Sequence, residues 1–485
     1  MNIKNFLFEN LNIRQTVAKN TFWLGVNQVG GRFIRVLLFI YAARVLGVSN
    51  YGLFSYAVGI VGLFFILSDL GGLTSVLMVE SARNPDERKK YISTSFFIKI
   101  ILLLVSFVFL IIVAPFIAKF SGVMTLLVIL AISSIFEQLK EFLFAIPRSL
   151  EKMEIETLFN FVYNIVLVVI GFLVLKLYPD VFYLSLVYVI ISTAGFIFLL
   201  WYLREYLRGI TKNVSSSLIK PILNYTLPLS ISSIFSALAL NLDNLLLGFF
   251  RTSSEIGFYN AAQKPGLIIT IFPSILAASI FPLLSRLTDN RGKFSKVMEQ
   301  TFHLIFLLVL PITFGGFILA KETMVFLYGA QYASAATIFK ITLAGLIFAS
   351  PVVILNNALF VFGKQKSLLV AGIISGISST ALNLILIPRY GNIGAATASL
   401  ISISLVSTWL NWKLYSIISY NIFSQLGRSS IAVVIMGILV LIFKYLGWPF
   451  LFNVMLGAII YLLVLYLLKE PLLFKKEWQK ILSSN

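Results

Sequence analysis

Two arginines lie inside an apolar segment that is long enough to cross a membrane. The segment is GGRFIRVLLFIYAARVLG, Gly30 to Gly47, and the arginines are Arg32 and Arg35. A guanidinium near the centre of a bilayer costs about 3 kcal/mol or more unless water or a partner solvates it. Gln28, Arg32 and Arg35 are spaced i, i+4 and i+7, so one helix face carries all three side chains. That face is expected to point towards a water-filled cavity or a substrate path.

Other charged residues also fall within apolar segments. The basic ones are Lys99, Lys140, Lys264 and Lys340, and the acidic ones are Asp69, Glu137, Glu141 and Asp243. Charges at such depths either pair with one another or face a cavity. Glu137, Lys140 and Glu141 are close enough in sequence to pair in part on one helix. Arg35, Lys99 and Lys340 have no evident acidic partner, which makes them candidates for contact with an anionic ligand.

Two further charge pairs are suggested by charged residues that lie at similar depths in the membrane on consecutive segments. Arg32 and Asp69 lie at similar distances from the ends of their helices, and so do Asp243 and Lys264. An intramembrane charge gains most when its partner lies at the same depth. Each pair is therefore either a static structural contact or a contact that breaks in one conformational state.

The composition identifies a polytopic membrane protein. The 485 residues are 59% hydrophobic and 12% charged, whereas about a quarter of the residues of a soluble domain are charged. The polar stretches between apolar segments are too short for a soluble domain, so the function must lie within the membrane part. Cysteine is absent, which excludes disulfides, thiol catalysis and thiolate metal sites. The sequence contains no Walker A motif, and ATP is not expected to power the protein directly.

Apolar windows of about twenty residues predict fourteen transmembrane helices in an all-α fold. Their ranges are 22–46, 53–80, 91–118, 122–148, 157–178, 181–203, 222–250, 258–285, 298–320, 331–362, 368–388, 391–416, 428–447 and 449–468. With the N-terminus inside, most of the 38 lysines and arginines fall on cytoplasmic segments, as the positive-inside rule requires. We therefore expect a multi-pass protein of the cell membrane with both termini in the cytoplasm.

An internal repeat indicates two lobes. LFIYAARVLGVSNYGLFSYAVG, Leu38 to Gly59, aligns with DNLLLGFFRTSSEIGFYNAAQK, Asp243 to Lys264, placing Gly52 over Gly257. Six helices separate the copies, and an even number keeps their orientation, which predicts two parallel six-helix lobes around a central cavity. The predicted parts are a cytoplasmic N-terminal segment (1–21), an N-lobe (22–208), a cytoplasmic linker (209–221), a C-lobe (222–420), two C-terminal helices (421–469) and a cytoplasmic tail (470–485).

Three motifs resemble the bacterial and archaeal polysaccharide biosynthesis flippases. NLDNLLLGFF (Asn241–Phe250), followed by IGFYNAAQK (Ile256–Lys264), is similar to the opening of their second lobe. NLILIPRYGNIGAATAS, Asn383 to Ser399, resembles their hallmark at the eleventh and twelfth helices, and LGVSNYGLFSYA, Leu46 to Ala57, resembles their first loop. This family shares a superfamily with the multidrug and toxin extrusion proteins, and its members have a twelve-helix, two-lobe core, often with two extra helices.

The resemblance implies a transporter without enzymatic activity or cofactor. The implied substrate is an undecaprenyl- or dolichyl-diphosphate-linked oligosaccharide, moved from the inner to the outer leaflet. The implied partners are this lipid-linked oligosaccharide, membrane lipid and a coupling ion, either H⁺ or Na⁺, and no nucleic acid. A cavity for a diphosphate should be cationic and wet. Arginine suits it, because the planar fork donates two hydrogen bonds to adjacent oxygens. Arg32 and Arg35 are therefore the first candidates for diphosphate contacts, and Lys99 and Lys340 the next.

The remaining polar residues indicate no catalytic or metal site. His303 lies within an apolar segment and is predicted to make a polar contact rather than to bind a metal. Glu154 and Glu156 lie beside Lys152 and are predicted to form a solvated face of a cytoplasmic loop. Gly30 and Gly31 are predicted to allow close helix packing.

Two alternative functions remain open from the sequence. A membrane glycan polymerase or ligase would need a sizeable outer loop, but the longest predicted outer segment, about 321–331, is short. A cation-drug antiporter of the same superfamily should have an acidic cavity, whereas the charges within the predicted helices are net basic.

Overall fold

The computed structural model describes residues 8–10, 13–70, 72–84, 86–210, 212–422 and 426–471, and over these residues it contains helices and no strand. The first helices are α1 (Ile13–Phe65), α2 (Leu73–Arg83), α3 (Arg88–Ile117), α4 (Val123–Leu143), α5 (Ala145–Ser149), α6 (Met153–Leu177), α7 (Val181–Tyr202) and α8 (Ser216–Phe250). The others are α9 (Ser253–Ile269), α10 (Ile271–Arg286), α11 (Arg291–Ile318), α12 (Ala320–Tyr328), α13 (Ala336–Val361), α14 (Gln365–Tyr415), α15 (Leu426–Tyr445) and α16 (Phe450–Leu467).

Each of the fourteen predicted segments overlaps one of these helices, which confirms the all-α class. Eleven helices of the described part are long and apolar enough to cross a membrane, so the chain is a multi-pass membrane protein. Fourteen crossings remain a prediction. The predicted cytoplasmic segments 1–21 and 470–485 lie in part outside the described residues.

Two long helices bend at glycines. The backbone of Gly47 in α1 has a φ of 76°, and that of Gly391 in α14 has a φ of 57°. Glycine adopts these left-handed angles without the steric cost of a Cβ atom. A methyl group at Gly391 would also lie 2.0 Å from Glu255 Oε2, which accepts a hydrogen bond from the Asn392 backbone N–H at 3.2 Å. Each bend therefore separates two of the helices predicted from the sequence.

The second predicted helix, 53–80, is interrupted. A 3₁₀ turn spans Ile66–Asp69, Leu70 follows with a φ of 42°, and α2 begins at Leu73. Asp69 Oδ1 accepts hydrogen bonds from the Thr74 hydroxyl at 2.6 Å and from its backbone N–H at 3.3 Å. The prediction of one continuous helix is wrong here, because the Asp69 carboxylate accepts a hydrogen bond from the backbone N–H of Thr74 in the first turn of a new helix.

Contacts divide the chain into two compact units. The first contains Met1–Asn260 with Ser375–Ala395, and the second contains Ala261–Ile374 with Ala396–Asn485. In the first unit α1 packs along α6, and α4 packs along α7. A methyl group on Gly171 would lie 2.7 Å from Leu38, and one on Gly31 would lie 3.2 Å from Asn164 Nδ2. These glycines allow α1 and α6 to approach closely, which confirms the packing role predicted for Gly31. The predicted lobe boundaries remain predictions.

In the second unit α11 is the central helix, and α13 and α15 pack against it. Phe294, Met298 and Phe302 repeat every four residues and are fully buried on one face of α11. His303 Nε2 lies 2.8 Å from Glu470 Oε1, and both side chains are buried. The polar contact predicted for this histidine is therefore confirmed.

The two copies of the predicted repeat touch each other within the first unit. A methyl group on Gly52 would lie 1.8 Å from the carbonyl oxygen of Ser253, and one on Gly257 would lie 2.1 Å from that of Val48. The alignment places Val48 over Ser253 and Gly52 over Gly257, so the contact is reciprocal. Reciprocal contacts are what a twofold relation between two segments requires. The contact thus agrees with the predicted repeat.

Candidate functional site: a charged cavity in the first unit

A polar cavity of about 260 Å³ lies between α1, α4 and α6. On α1 and α6 the lining residues are four positions apart, and on α4 two residues follow Glu137 by three and four positions, so each helix presents one polar face. The lining residues are Asn27, Gly31 and Arg35 on α1, Glu137, Lys140 and Glu141 on α4, and Asn160 and Asn164 on α6.

Arg35 is the basic residue of α1 in this cavity. Its side chain is exposed, and its Nε donates a hydrogen bond to Asn164 Oδ1 at 2.5 Å. Asn164 Nδ2 in turn donates to the carbonyl oxygen of Asn160 at 2.6 Å, which directs the Asn164 oxygen towards the arginine. Among the described residues neither Nη group of Arg35 makes a hydrogen bond. The guanidinium is thus positioned by a neutral amide. The side chains of Gln28 and Arg32 lie outside the described residues.

The second cation of the cavity is already paired. Lys140 Nζ lies 2.8 Å from Glu137 Oε2 and 3.5 Å from the centre of the Tyr163 ring. The Tyr163 hydroxyl donates a hydrogen bond to the other oxygen of Glu137. The predicted pairing on one helix is confirmed for Glu137 and Lys140, whereas Glu141 forms its salt bridge with Arg148. The carboxylate of Glu137 is therefore bonded on both oxygens, although Arg35 is near enough to interact with it electrostatically.

Arg148 neutralises the acidic residues at the border of the cavity. Its guanidinium lies 2.5 Å from Glu141 and 2.7 Å from Glu156.

The second acidic residue of the first turn of α6, Glu154, also has a cationic partner, since Lys19 Nζ lies 3.0 Å from Glu154 Oε2. The prediction that Glu154 and Glu156 form a solvated face is wrong: they are only 7% and 3% exposed, in the first turn of α6. They are buried because each has a cationic partner from another part of the chain.

The structure places the other candidate cations elsewhere. Lys99 is buried on α3, with Nζ 3.2 Å from Asp69 Oδ1 and 3.1 Å from Gln138 Oε1. The expectation that Lys99 lacks an acidic partner is wrong, since Asp69, at the end of the 3₁₀ turn before α2, pairs with it. Lys340 belongs to the second unit, where its Nζ lies 5.0 Å from the centre of the Phe317 ring. Diphosphate contacts by these two lysines remain predictions.

Asp243 forms part of a separate polar network in the first unit. It is 7% exposed and accepts a hydrogen bond from the Tyr259 hydroxyl. Beside it, Asn260 Nδ2 donates to Asn244 Oδ1 at 2.6 Å. Lys264 belongs to the second unit. The predicted pair of Asp243 and Lys264, and its role in gating, remain predictions.

Replacing Lys99 with methionine is expected to lower the free energy of unfolding by roughly 1–3 kcal/mol, because Asp69 loses its cation in a partly buried site. The double variant Lys99→Met/Asp69→Asn should recover most of this loss, since neither charge is then left alone. Thermal unfolding of the purified protein in detergent measures the stability of the single and the double variant. The control is Lys90→Met, because Lys90 pairs with Glu87 at the surface and should change stability little. A Lys99→Met protein as stable as the parent would contradict the structural role of the pair.

Sequence reasoning missed the amides that build the cavity. Asn160 and Asn164 are spaced i, i+4 within an otherwise apolar segment, and Asn27 precedes Arg35 by eight residues. This spacing was the available signal, because polar residues four apart share a helix face. Only the packing of α1 against α6 shows that the two faces meet.

Relatives of the chain include proteins named as flippases. The probable low-salt glycan biosynthesis flippase Agl15 of Haloferax volcanii is 26% identical over 443 residues, which cover 89% of this chain and 90% of the relative. Among solved structures, the lipid II flippase MurJ in an inward closed conformation has a TM-score of 0.73 at 19% identity, covering 94% of this chain and 99% of MurJ.

A multidrug transporter has the same fold. The inward-facing conformation of a transporter of the MATE family has a TM-score of 0.63 at 14% identity, and the match covers 79% of this chain and 95% of that protein. The likeness to both solved structures concerns the fold. The model of the family described as "Polysaccharide biosynthesis protein" matches residues 17–288. Since this match covers more than half of the 485 residues, the chain belongs to the polysaccharide biosynthesis protein family.

Proposed function

We propose that the protein is a flippase that moves a polyprenyl-diphosphate-linked oligosaccharide from the inner to the outer leaflet of the cell membrane. The main support for this proposal is the position of Arg35 and the hydrogen bond that it makes. Its guanidinium lines a cavity and is held through Nε by the neutral amide of Asn164. A diphosphate presents adjacent oxygens that match the two Nη groups of such a fork. The names of the flippase relatives support the same class of substrate.

The charges around the cavity favour Arg35 as the ligand contact. Lys140 is paired with Glu137, and Arg148 is paired with two glutamates. A paired cation must lose its salt bridge before it can bind an anion. Arg35 has Glu137 nearby but forms no salt bridge with a described residue, and its hydrogen bond is to a neutral amide. Arg32 lies three residues earlier on the predicted inward face, and we propose it as the second diphosphate contact.

The size of the cavity implies a second conformation. Its volume of about 260 Å³ is below the range of about 300–1,000 Å³ typical of pockets that hold drug-sized ligands, so it suits a diphosphate but not an attached oligosaccharide. The proposed cycle therefore includes a state in which the glycan also has room. The reciprocal contact at Gly52 and Gly257 is a candidate for the contact that closes the protein in this structure and that must separate in the second conformation. In the predicted orientation, with both termini cytoplasmic, this contact lies at the outer surface.

Reconstitution into liposomes tests the proposal. With a fluorescent undecaprenyl-diphosphate oligosaccharide in the membrane, we expect the protein to transfer the glycan between leaflets faster than protein-free liposomes do. Access of an added glycosidase measures the transfer, and opposite H⁺ and Na⁺ gradients identify the coupling ion. Ethidium serves as the probe for cation-drug antiport. Gradient-driven uptake of ethidium without movement of the lipid would overturn the proposal in favour of the antiporter, and lengthening of the glycan would favour a polymerase.

A further inference from the structure

An apolar groove of about 640 Å³ runs between α6 and α7 on the side of α6 away from the charged cavity. Leu158, Val162 and Val166 of α6 form one wall, and Ile191, Ala194 and Phe198 of α7 form the other. Phe8 and Glu154, which is paired with Lys19, also line the groove. From Ile155 to Val166 the helix rises about 16 Å at 1.5 Å per residue. This is about half of the hydrocarbon thickness of roughly 30 Å. The groove therefore has the length and the surface to hold a lipid chain within one leaflet.

A second, more polar cavity of about 320 Å³ lies at the end of this groove. Both cavities are lined by Ile155 and Tyr202, so they adjoin. The charged residues that line the polar cavity are Lys152, Arg204 and Glu205. The Arg204 guanidinium lies 5.5 Å from the centre of the Trp201 ring. Tryptophan and arginine at a helix end are typical of the membrane–water interface. The two cavities together thus combine an apolar slot with a pocket at its mouth that holds two cations and one carboxylate, and is therefore net basic.

We propose that these adjoining cavities bind one phospholipid of the surrounding bilayer that carries an anionic phosphate headgroup, such as phosphatidylglycerol. One acyl chain lies in the groove between α6 and α7, and the phosphate contacts Lys152 and Arg204. Charge complementarity selects the occupant, because basic pockets between transmembrane helices on the cytoplasmic side attract anionic headgroups. We assign the groove to a lipid of the bilayer rather than to the transported lipid, because the groove shares no lining residue with the cavity of Arg35.

The position of Tyr163 gives the bound lipid an effect on the charged cavity. The ring lines the groove, while its hydroxyl bonds Glu137 and its face contacts Lys140. A methyl group on Gly195 would lie 3.0 Å from this ring, so the ring is closely held from the side of α7 as well. An acyl chain packed against Tyr163 therefore stabilises the ring that positions the Glu137–Lys140 pair. The site acts as a structural and regulatory lipid site.

Thermal unfolding with added lipid tests this proposal. Phosphatidylglycerol should raise the unfolding temperature of the detergent-purified protein more than phosphatidylcholine does. In Lys152→Gln/Arg204→Gln the apparent affinity for phosphatidylglycerol should fall roughly tenfold or more, because each basic residue near a headgroup contributes to binding. Ala194→Trp, which fills the groove, should remove the effect while both cations remain. Arg208→Gln is the matched control, since Arg208 is exposed and lines neither cavity.

Several outcomes would overturn the proposal. These are equal stabilisation by the two lipids, an unchanged response of Lys152→Gln/Arg204→Gln, and stabilisation by soluble glycerol phosphate alone. Undecaprenyl phosphate that displaces phosphatidylglycerol at equal concentration would show that the occupant is the transported class of lipid instead. If Ala194→Trp fails to accumulate, the charge variant still decides the result, because its substitutions lie at the interface and leave the helix packing intact.

Discussion

Replacing Arg35 with glutamine is expected to reduce transport of the lipid-linked oligosaccharide at least tenfold, while the protein still inserts and accumulates. Two charge-assisted hydrogen bonds to a diphosphate are each worth about 1.5–3 kcal/mol, and glutamine forms no such fork. Folding should tolerate the change, because Arg35 is bonded to a neutral amide and no carboxylate loses an ion pair. Arg35→Lys should restore only part of the activity, since an ammonium group lacks the planar, bidentate geometry. The liposome transfer assay measures all three proteins.

Two further variants separate ligand binding from a general effect of charge. Lys176→Gln removes an exposed cation at the far end of α6 and should leave transport unchanged. Asn164→Asp keeps Arg35 but places a carboxylate 2.5 Å from its Nε, which should occupy the guanidinium in an ion pair and lower transport. Normal transport by a well-expressed Arg35→Gln protein would defeat the assignment of this residue. Normal transport by Asn164→Asp would show that Arg35 does not need to be available to the ligand.

A disulfide between residues 49 and 253 is expected to stop transport in a reversible way. Ser49 Oγ lies 2.7 Å from Ser253 Oγ, a separation from which two cysteine sulfurs can bond. The natural chain has no cysteine, so Ser49→Cys/Ser253→Cys can form one intramolecular disulfide. An oxidant should reduce transport to the level of empty liposomes, and a reductant should restore it, because the proposed cycle requires this contact to separate.

The glycines at the same contact provide the controls. Gly52→Ala places a methyl group 1.8 Å from the carbonyl oxygen of Ser253, which should push the segments apart and lower the disulfide yield. Gly25→Ala, also in α1, meets no atom within 4 Å and should leave the yield unchanged. Each single cysteine variant should transport normally in oxidant. If the oxidised double variant transports at the normal rate, the contact does not have to open, and the proposed closure is wrong.

The sequence by itself determined the class of the protein and the contacts made within single helices. Long apolar segments must be helical in a bilayer, because each backbone polar group has to be bonded within its own segment. The pair of Glu137 and Lys140 followed from helix geometry, since residues three apart are neighbours on the surface of one helix. For the same reason the spacing from Gln28 to Arg35 predicted a polar face, and Arg35 does line a cavity. The repeat also located the glycines that meet at Gly52 and Gly257.

Only the tertiary structure decided which helix faces meet. The helices are apolar on nearly all sides, so hydrophobic periodicity does not specify the neighbours of each one. Asn164 became the partner of Arg35 because Gly31 and Gly171 let α1 and α6 approach closely. Lys99 acquired a partner because the chain forms a 3₁₀ turn that ends at Asp69.

The buried acidic residues show most clearly that contacts between helices do not follow from local sequence patterns. Glu154 and Glu156 have the sequence context of a polar loop, yet they are buried where Lys19 and Arg148 reach them. A charge is buried or exposed according to whether a partner offsets its desolvation. Both partners here lie outside α6, so their positions depend on how the first unit packs, and no local pattern in the sequence contains that information.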